Sequence, residues 1–246
     1  LGRWDIARSA WRDAGIDVPG GEGPVDYPCG RAPIRLNPNG DAEVVWSERV
    51  DPARAIVQSI PLPESAFRFG DLVLNDGAGT GFRKLEEREV PVFNCLGLLR
   101  ASRFSTWVLE VELEETDPGR QDAVDLLEEL ALAHELAAED WTMSIQMLCK
   151  ACSEGKPYAG HEHPREPVGG HRRLAIASPD QDQVRALLDD WRSRATHVSV
   201  LELELAFHAW TIHRSLRRLR RSGAAASRRR ARSVLAPRAA ALPWAT

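Results

Sequence analysis

The sequence predicts an α+β fold in two globular parts, a small and mostly antiparallel β-domain over residues 24–100 and a βαββαβ sandwich over 103–206. A short helix over residues 1–19 precedes them and a basic low-complexity tail over 207–246 follows. Three observations carry this. Turn signals rich in Pro, Gly, Asp and Asn separate short extended runs in the first part. Apolar and polar residues alternate from Trp107 to Glu114 and again from Val198 to Leu205. Between these runs lie two apolar stripes at helical spacing. With 246 residues, 43% hydrophobic and 28% charged, the chain has the composition of a globular protein, and collagen, wholesale disorder and a disulfide scaffold are excluded. No apolar stretch approaches the roughly 20 residues a bilayer needs, and no basic-then-apolar signal segment opens the chain. Four cysteines in this length suit a reducing compartment, so a cytoplasmic protein is expected. The start at Leu1, with Met143 and Met147 as the sole methionines, predicts a piece of a longer polypeptide.

In residues 1–19, Trp4, Ala7, Trp11 and Ala14 recur at spacings of three and four, and Gly15 and Pro19 punctuate the end, which predicts an amphipathic helix. Gly2, Trp4, Ala7, Trp11, Ala14 and Pro19 stand in the order of the second half of a tetratricopeptide repeat, and the segment resembles that family. The resemblance implies a helical array upstream that binds a protein or peptide partner. Any amphipathic helix with two tryptophans is the alternative.

In the middle segment Ala32–Leu36, Glu43–Trp46, Ala55–Ile60, Gly70–Asn75, Gly81–Leu85 and Glu89–Phe93 are the extended candidates. The runs GEGPVD, EVVWSERVDPARA, FGDLVLNDGAGTG and REVPVFNCL resemble downstream domains of bacterial repeat proteins. Gly77, Gly79 and Gly81 lack the Gly-Lys-Ser/Thr and the following helix of a phosphate cradle, so they read as a turn, with Asn75-Asp76-Gly77 as a hairpin signal. Cys29 and Cys95 have no histidine nearby in sequence and read as inert, while Asp71 and Asp76 read as solvated turn residues or, alternatively, as ligands or catalytic carboxylates.

The second part opens with a strand whose Trp107, Leu109, Val111 and Leu113 face inward. Asp117-Pro118 starts a helix to about Glu139 with Val124, Leu127, Leu130 and Ala131 inward. A second strand is expected at Trp141–Met147 and a third at Arg173–Ala177. Ser178-Pro179-Asp180-Gln181 then reads as a capping box for a helix striped by Val184, Leu187, Leu188 and Trp191. The last strand, Val198–Leu205, sets Ser199, Leu201, Leu203 and Leu205 against Val200, Glu202 and Glu204. This order is that of the ferredoxin-like split βαβ fold. Its open face would gather Glu110, Glu112, Glu114, Glu202 and Glu204, with Arg173 relieving part of their repulsion, and such a face argues against RNA binding. Asp117-Pro118-Gly119 after the first strand also resembles amino-acid-binding ACT modules, which implies a small-molecule sensor as an alternative.

Between the second and third strands the run CKACSEGKPYAGHEHP carries Cys149, Cys152, His161 and His163. Thiolates with two residues between them on a turn can both face one ion, and two histidines at i and i+2 of an extended segment point to one side. Two soft sulfurs and two imidazoles make a closed tetrahedral zinc set, expected here as a knuckle across a hairpin, with His171 able to replace either histidine. Free thiols beside solvated histidines, a redox dithiol and an iron–sulfur ligand set are the alternatives. A catalytic variant, a metal-dependent hydrolase, would release one ligand and use Glu154 or Glu162 as base.

The formal charge of −4 is a sum of unlike parts: Phe207–Thr246 holds ten arginines and no acid, leaving 22 basic against 36 acidic residues elsewhere. The tail reads as out-of-frame translation, as a solvated tail or as a basic arm, and no nucleic-acid role rests on it. The expected function is a non-enzymatic protein-interaction or scaffold protein of the tetratricopeptide-repeat class with a structural zinc, with no membrane partner.

Overall fold

The computed structural model describes residues 2–85, 88–113, 120–142, 170–195 and 198–208. Strands β1 (Gly30–Leu36), β2 (Glu43–Asp51), β3 (Arg54–Val57), β4 (Leu72–Asn75) and β7 (Phe93–Arg100) close into a barrel. Successive barrel strands are antiparallel. Five strands of alternating direction leave the first and last pointing the same way, so closure is by a parallel pair, with Ile34 beside Phe93 and Arg35 beside Asn94. Ile34, Leu36, Val45, Ala55, Val57, Val73 and Phe93 fill the interior. β5 (Phe82–Leu85) and β6 (Arg88–Pro91) form a separate hairpin inserted between β4 and β7. Asn75-Asp76-Gly77 therefore leads the chain out of the barrel and does not turn a hairpin. Gly79 lacks a side chain for a local reason: a Cβ there would stand 2.8 Å from Cβ of Pro91.

β8 (Ser105–Leu113), β9 (Ala137–Asp140), β10 (His171–Ser178) and β11 (Val198–Phe207) form a second, antiparallel sheet in the order β11-β8-β10-β9. Helices α2 (Arg120–Ala133) and α3 (Gln181–Arg194) cover one face. Trp107, Leu109, Val111 and Leu113 meet Leu127 and Ala131 of α2 and Val184, Leu187 and Trp191 of α3 there. Trp191 is fully buried and its indole N–H donates to the Ala123 carbonyl at 2.8 Å, which joins the two helices. α3 is capped by Asp180, which accepts from the Gln183 N–H at 3.0 Å. Ser178 instead hydroxyl-bonds the Asp180 carbonyl, so the N-cap lies two residues beyond the expected one.

The other face of this sheet is not free. Val108, Ala175 and Ala177 pack with Ile60 of the β3–β4 connection and with Trp141, and Phe69 and Phe104 join them edge to face at 5.2 Å. All described residues belong to one compact unit, Leu1–Ala209.

The expected architecture, a repeat helix and a small antiparallel β-domain followed by a ferredoxin-like βαββαβ domain, is corrected on three counts. The first part is a closed five-stranded barrel, which sequence-local alternation cannot reveal because closure pairs β1 with β7. The sandwich shares an apolar cluster with the barrel's connection, so its supposed open face is covered at Val108, Ala175 and Ala177. Its second strand is the four-residue β9, upstream of the expected Trp141–Met147. Of that segment, residues 143–147 lie outside the described residues. The shift arises because α2 stops at Ala133 and Glu135 takes a left-handed φ of 58°, which turns the chain back into the sheet early.

The third count concerns α1 (Trp4–Asp13). It is a helix as expected, but its stripe of Trp4, Ala7 and Trp11 is half-buried, Ala14 is exposed and Arg8 is its buried residue. Arg8 donates to the carbonyls of Pro19 at 2.9 Å and Gly23 at 3.0 Å, and the Arg54 guanidinium lies 4.8 Å from the centre of the Trp4 ring. These contacts tie α1 to the chain that follows it, so it is not the second helix of a tetratricopeptide repeat. No described helix is long and apolar enough to cross a membrane.

Candidate functional site

The expected zinc ligands Cys149, Cys152, His161 and His163 lie outside the described residues, as do Glu154, Glu162 and Asp117-Pro118-Gly119. Among the described residues no group of three or more His, Cys, Asp or Glu is placed to hold a metal. The two ends of the insertion that carries the four ligands are described. The Arg173 N–H donates to the Thr142 hydroxyl at 2.7 Å, and the Leu113 N–H donates to the Gly170 carbonyl at 2.9 Å. The insertion therefore leaves and re-enters the sheet within one hydrogen bond's reach. His171 opens β10 with its side chain more than half exposed and Nε2 3.1 Å from Glu110 Oε2.

Four other singled-out residues have structural roles. Cys95 lies in the barrel core, where burial pushes its thiol up to about 11, and burial also raises Cys29, so neither is activated. Asp71 is fully buried and accepts from the N–H groups of Ser102 at 2.7 Å and Arg68 at 2.9 Å; burial raises its pKa and those bonds oppose the rise. Asp76 accepts from the Asn94 N–H at 2.8 Å and fixes the exit from the barrel.

The surface with an unmet capacity is β11. It is ten residues long and lies at the end of its sheet, so among the described residues its outer edge has no strand partner. A row of backbone N–H and C=O groups is thereby open to pairing. The opposite edge, β9, has four residues. The sequence expectation that Leu201, Leu203 and Leu205 share a face is corrected here. A register shift between Val200 and Glu202 makes Leu201 a bulge, so Val198, Val200 and Leu203 face the helices while Leu201 is 58% exposed. Leu205 is 38% exposed at the same edge. The signal is legible in hindsight, since VSV alternates in one phase and LELEL in the other.

Between this bulge and a second irregularity after Leu205, residues 202–205 run in regular register against β8, with Glu202 opposite Glu110 and Glu204 opposite Val108. The neighbouring cation is spent on Glu110: Arg173 Nε lies 3.3 Å from its Oε1, and the His171 imidazole reaches its Oε2. Arg173 thus relieves part of the repulsion, as expected, and among the described residues no cation pairs with the exposed Glu202 and Glu204.

Sequence reasoning missed a pair of buried carboxyl groups where the barrel meets the sheet. Glu43 of β2 accepts from the Leu62 N–H at 3.2 Å, and Glu139 of β9 accepts from the Ile60 N–H at 3.0 Å. Both are pushed up to about 7, chiefly by burial; Glu64 adds repulsion at Glu43, and Glu128 and Glu43 add it at Glu139. These values suit acid–base work, but each carboxyl is already engaged with an amide of the same connection, so the pair acts as a latch. A cleft of about 560 Å³ opens nearby, between the Asn37–Asp41 turn, Glu64, Phe67 and Cys95.

No protein-family model matches the chain, and no curated protein is similar to it. Among solved structures the chain is similar to a crystal structure of a hypothetical protein from Neisseria gonorrhoeae, at 13% identity over 72% of this chain and 94% of that one, with a TM-score of 0.30. At that level of likeness the functional reading rests on this chain's own geometry.

Proposed function

We propose that this chain is a non-enzymatic protein-interaction module that takes an extended segment of a partner along the outer edge of β11. The observation that carries the reading is a ten-residue edge strand with Leu201 and Leu205 exposed on it. Strand addition supplies main-chain hydrogen bonds for affinity, and alternate side chains supply selectivity. The sheet behind the edge is held by two helices and a buried tryptophan, which keeps the template rigid. The test is backbone amide exchange of the full chain with end-blocked eight-residue peptides that alternate valine with threonine, lysine or glutamate. Binding is expected to slow exchange within Val198–Phe207, and peptides with two central prolines are expected not to do so. Unchanged exchange in β11 with every peptide removes the reading.

A structural zinc held by Cys149, Cys152, His161 and His163 is a second proposal, resting on ligand type and spacing. Metal analysis of the purified chain is expected to find one zinc per chain, lost in Cys149→Ser with a fall in melting temperature. A metal-free wild type as stable as its zinc-treated form rejects it.

A further inference from the structure

We infer that the segment taken by β11 is basic, with lysine or arginine alternating with apolar residues, and this inference rests on the strand-addition reading. Residues 202–205 are the stretch of β11 in regular register between two irregularities, and they alternate Glu, Leu, Glu, Leu. Directly paired residues in a sheet point to the same face. A strand added outside β11 would therefore set its own alternate residues beside Glu202 and Glu204 on one face and beside Leu203 and Leu205 on the other. The two glutamates are exposed, and the Arg173 guanidinium and the His171 imidazole of the same sheet are turned to Glu110. A cation brought by the partner meets negative charge that nothing described in the chain has neutralised.

The same charges decide against a second copy of this chain. Antiparallel self-pairing centred on Leu203 would set Glu202 opposite its mate's Glu204, and again on the other side of the centre. Like charges directly opposite destabilise a strand pair, so the edge is barred to itself and open to the opposite sign. This answers why a long edge with exposed leucines carries acids: charge on an edge prevents sheet-to-sheet association, and an acidic edge does so while selecting a basic partner. Leu201, pushed outward by the bulge, adds apolar surface at the end of the regular stretch.

The experiment is titration of the full chain with the alternating valine peptides, read by anisotropy at low and high salt. The lysine–valine peptide is expected to bind about tenfold more tightly than the glutamate–valine peptide at low salt, a ratio that shrinks as salt rises. The double exchange Glu202→Lys with Glu204→Lys is expected to reverse the preference; because both side chains are exposed, circular dichroism is expected to report an unchanged fold. Glu112→Gln, on the same face but one strand inward, is the control and is expected to change the ratio less. Equal affinity for the lysine and threonine peptides, with β11 amides protected by both, overturns the charge inference and leaves the strand-addition reading standing. Absence of protection with any peptide overturns both. A dimer in solution would assign the edge to a second copy. Binding that appears only after the ten arginines beyond Phe207 are exchanged for glutamine would assign it to the chain's own tail. Either of these outcomes overturns the proposal.

Discussion

At the scale of single residues, Gly170 and Asp71 show how little room the fold leaves at its joints. An added Cβ at Gly170 would overlap the carbonyl oxygen of Leu113, and it would also stand 2.8 Å from the Glu112 carboxylate. The obstacle is backbone that is itself hydrogen-bonded to Gly170, so it cannot swing aside as a side chain would. Gly170→Ala is expected to lower the stability of the chain by about 2–3 kcal/mol in urea denaturation, the range of an overpacked site. An unchanged midpoint would mean that the strand shifts without cost. Asp71 is a different joint, a buried carboxylate that holds the backbone N–H groups of Arg68 and Ser102. Arg68 itself donates to the His208 carbonyl at 2.9 Å and lies 4.6 Å from the centre of the Phe207 ring, which anchors the end of β11. Removing the carboxylate leaves two N–H groups at the joint without their acceptor, so Asp71→Ala is expected to cost about 2–3 kcal/mol. Asp71→Asn, which keeps an acceptor without the charge, is expected to cost less, and equal losses for the two would show that the site needs the charge and not merely an acceptor.

At the scale of elements, the connection between β3 and β4 is held from both sides by carboxyl groups, Glu43 from the barrel and Glu139 from the sheet. The elements around them contribute further acids in Glu64 and Glu128, together with the Arg172–Asp140 pair at 3.7 Å. Glu43 and Glu139 both titrate near 7 in the folded chain and near 4.5 when unfolded. Between those values the folded chain binds more protons than the unfolded one, so stability is highest below about pH 4.5 with respect to these groups. It then falls as pH rises through 7 and levels off above that. A shift of this size corresponds to on the order of 3 kcal/mol for a group as buried as Glu139. Glu139→Gln is expected to flatten the pH dependence of the melting temperature across that window and to match or exceed the wild type at pH above 7. A wild-type melting temperature that rises from pH 5 to pH 7, with the variant unchanged in slope, would contradict the latch.

The legibility of these elements in the sequence follows from the range of the interactions that make them. β8, β10 and α3 are visible because one buried face imposes a period of two or of 3.6 on neighbouring residues, as at Trp107–Leu113 and Val184–Trp191. β9 is invisible because Ala137-Ala138-Glu139-Asp140 reads as the end of a helix, and the pairing of Ala137 with Ala177 overrides that local preference. β3 and β4, with four residues each, are too short to show a period and are marked only by the turn signals that bound Ala55–Ile60 and Gly70–Asn75, while the pairing of β1 with β7 joins distant segments and leaves no local mark. The Glu43–Glu139 latch is hidden for the same reason. Each acid alone looks like solvated surface, and what makes the pair distinctive is that Ile60 and Leu62 present alternate amides to both. The outward edge of β11 was half legible, since its alternation was plain and the phase slip at Leu201 was written in the order of its leucines.

At the scale of the whole molecule the question is whether barrel and sheet unfold as one. Trp141 is the residue that decides it. Its ring is buried among Ile60, Val108, Ala175 and Ala177, and its indole N–H donates to the Ile60 carbonyl at 3.0 Å. Ile60 also gives its N–H to Glu139, so one residue of the connection is bonded to the sheet through both backbone groups. The remaining apolar contacts across this joint come from small or half-buried side chains, Ala137, Leu62 and Ala206 among them. Each large residue in such a joint therefore carries a large share of the coupling. In the wild type the slowest-exchanging amides of β1 and β2 and those of β8 and β10 are expected to open with the same free energy, as one cooperative unit. Trp141→Ala is expected to remove about 3–5 kcal/mol and to leave a cavity lined by both halves. Its loss also orphans the Ile60 carbonyl. The barrel has its own closed core and the sheet its own helices, so each half keeps most of its own contacts when the joint fails. The variant is accordingly expected to show two sets of slow amides with separate opening free energies, and two steps in thermal unfolding where the wild type has one. A single cooperative transition in the variant, shifted but not split, would place the coupling in the chain connections and not in this cluster.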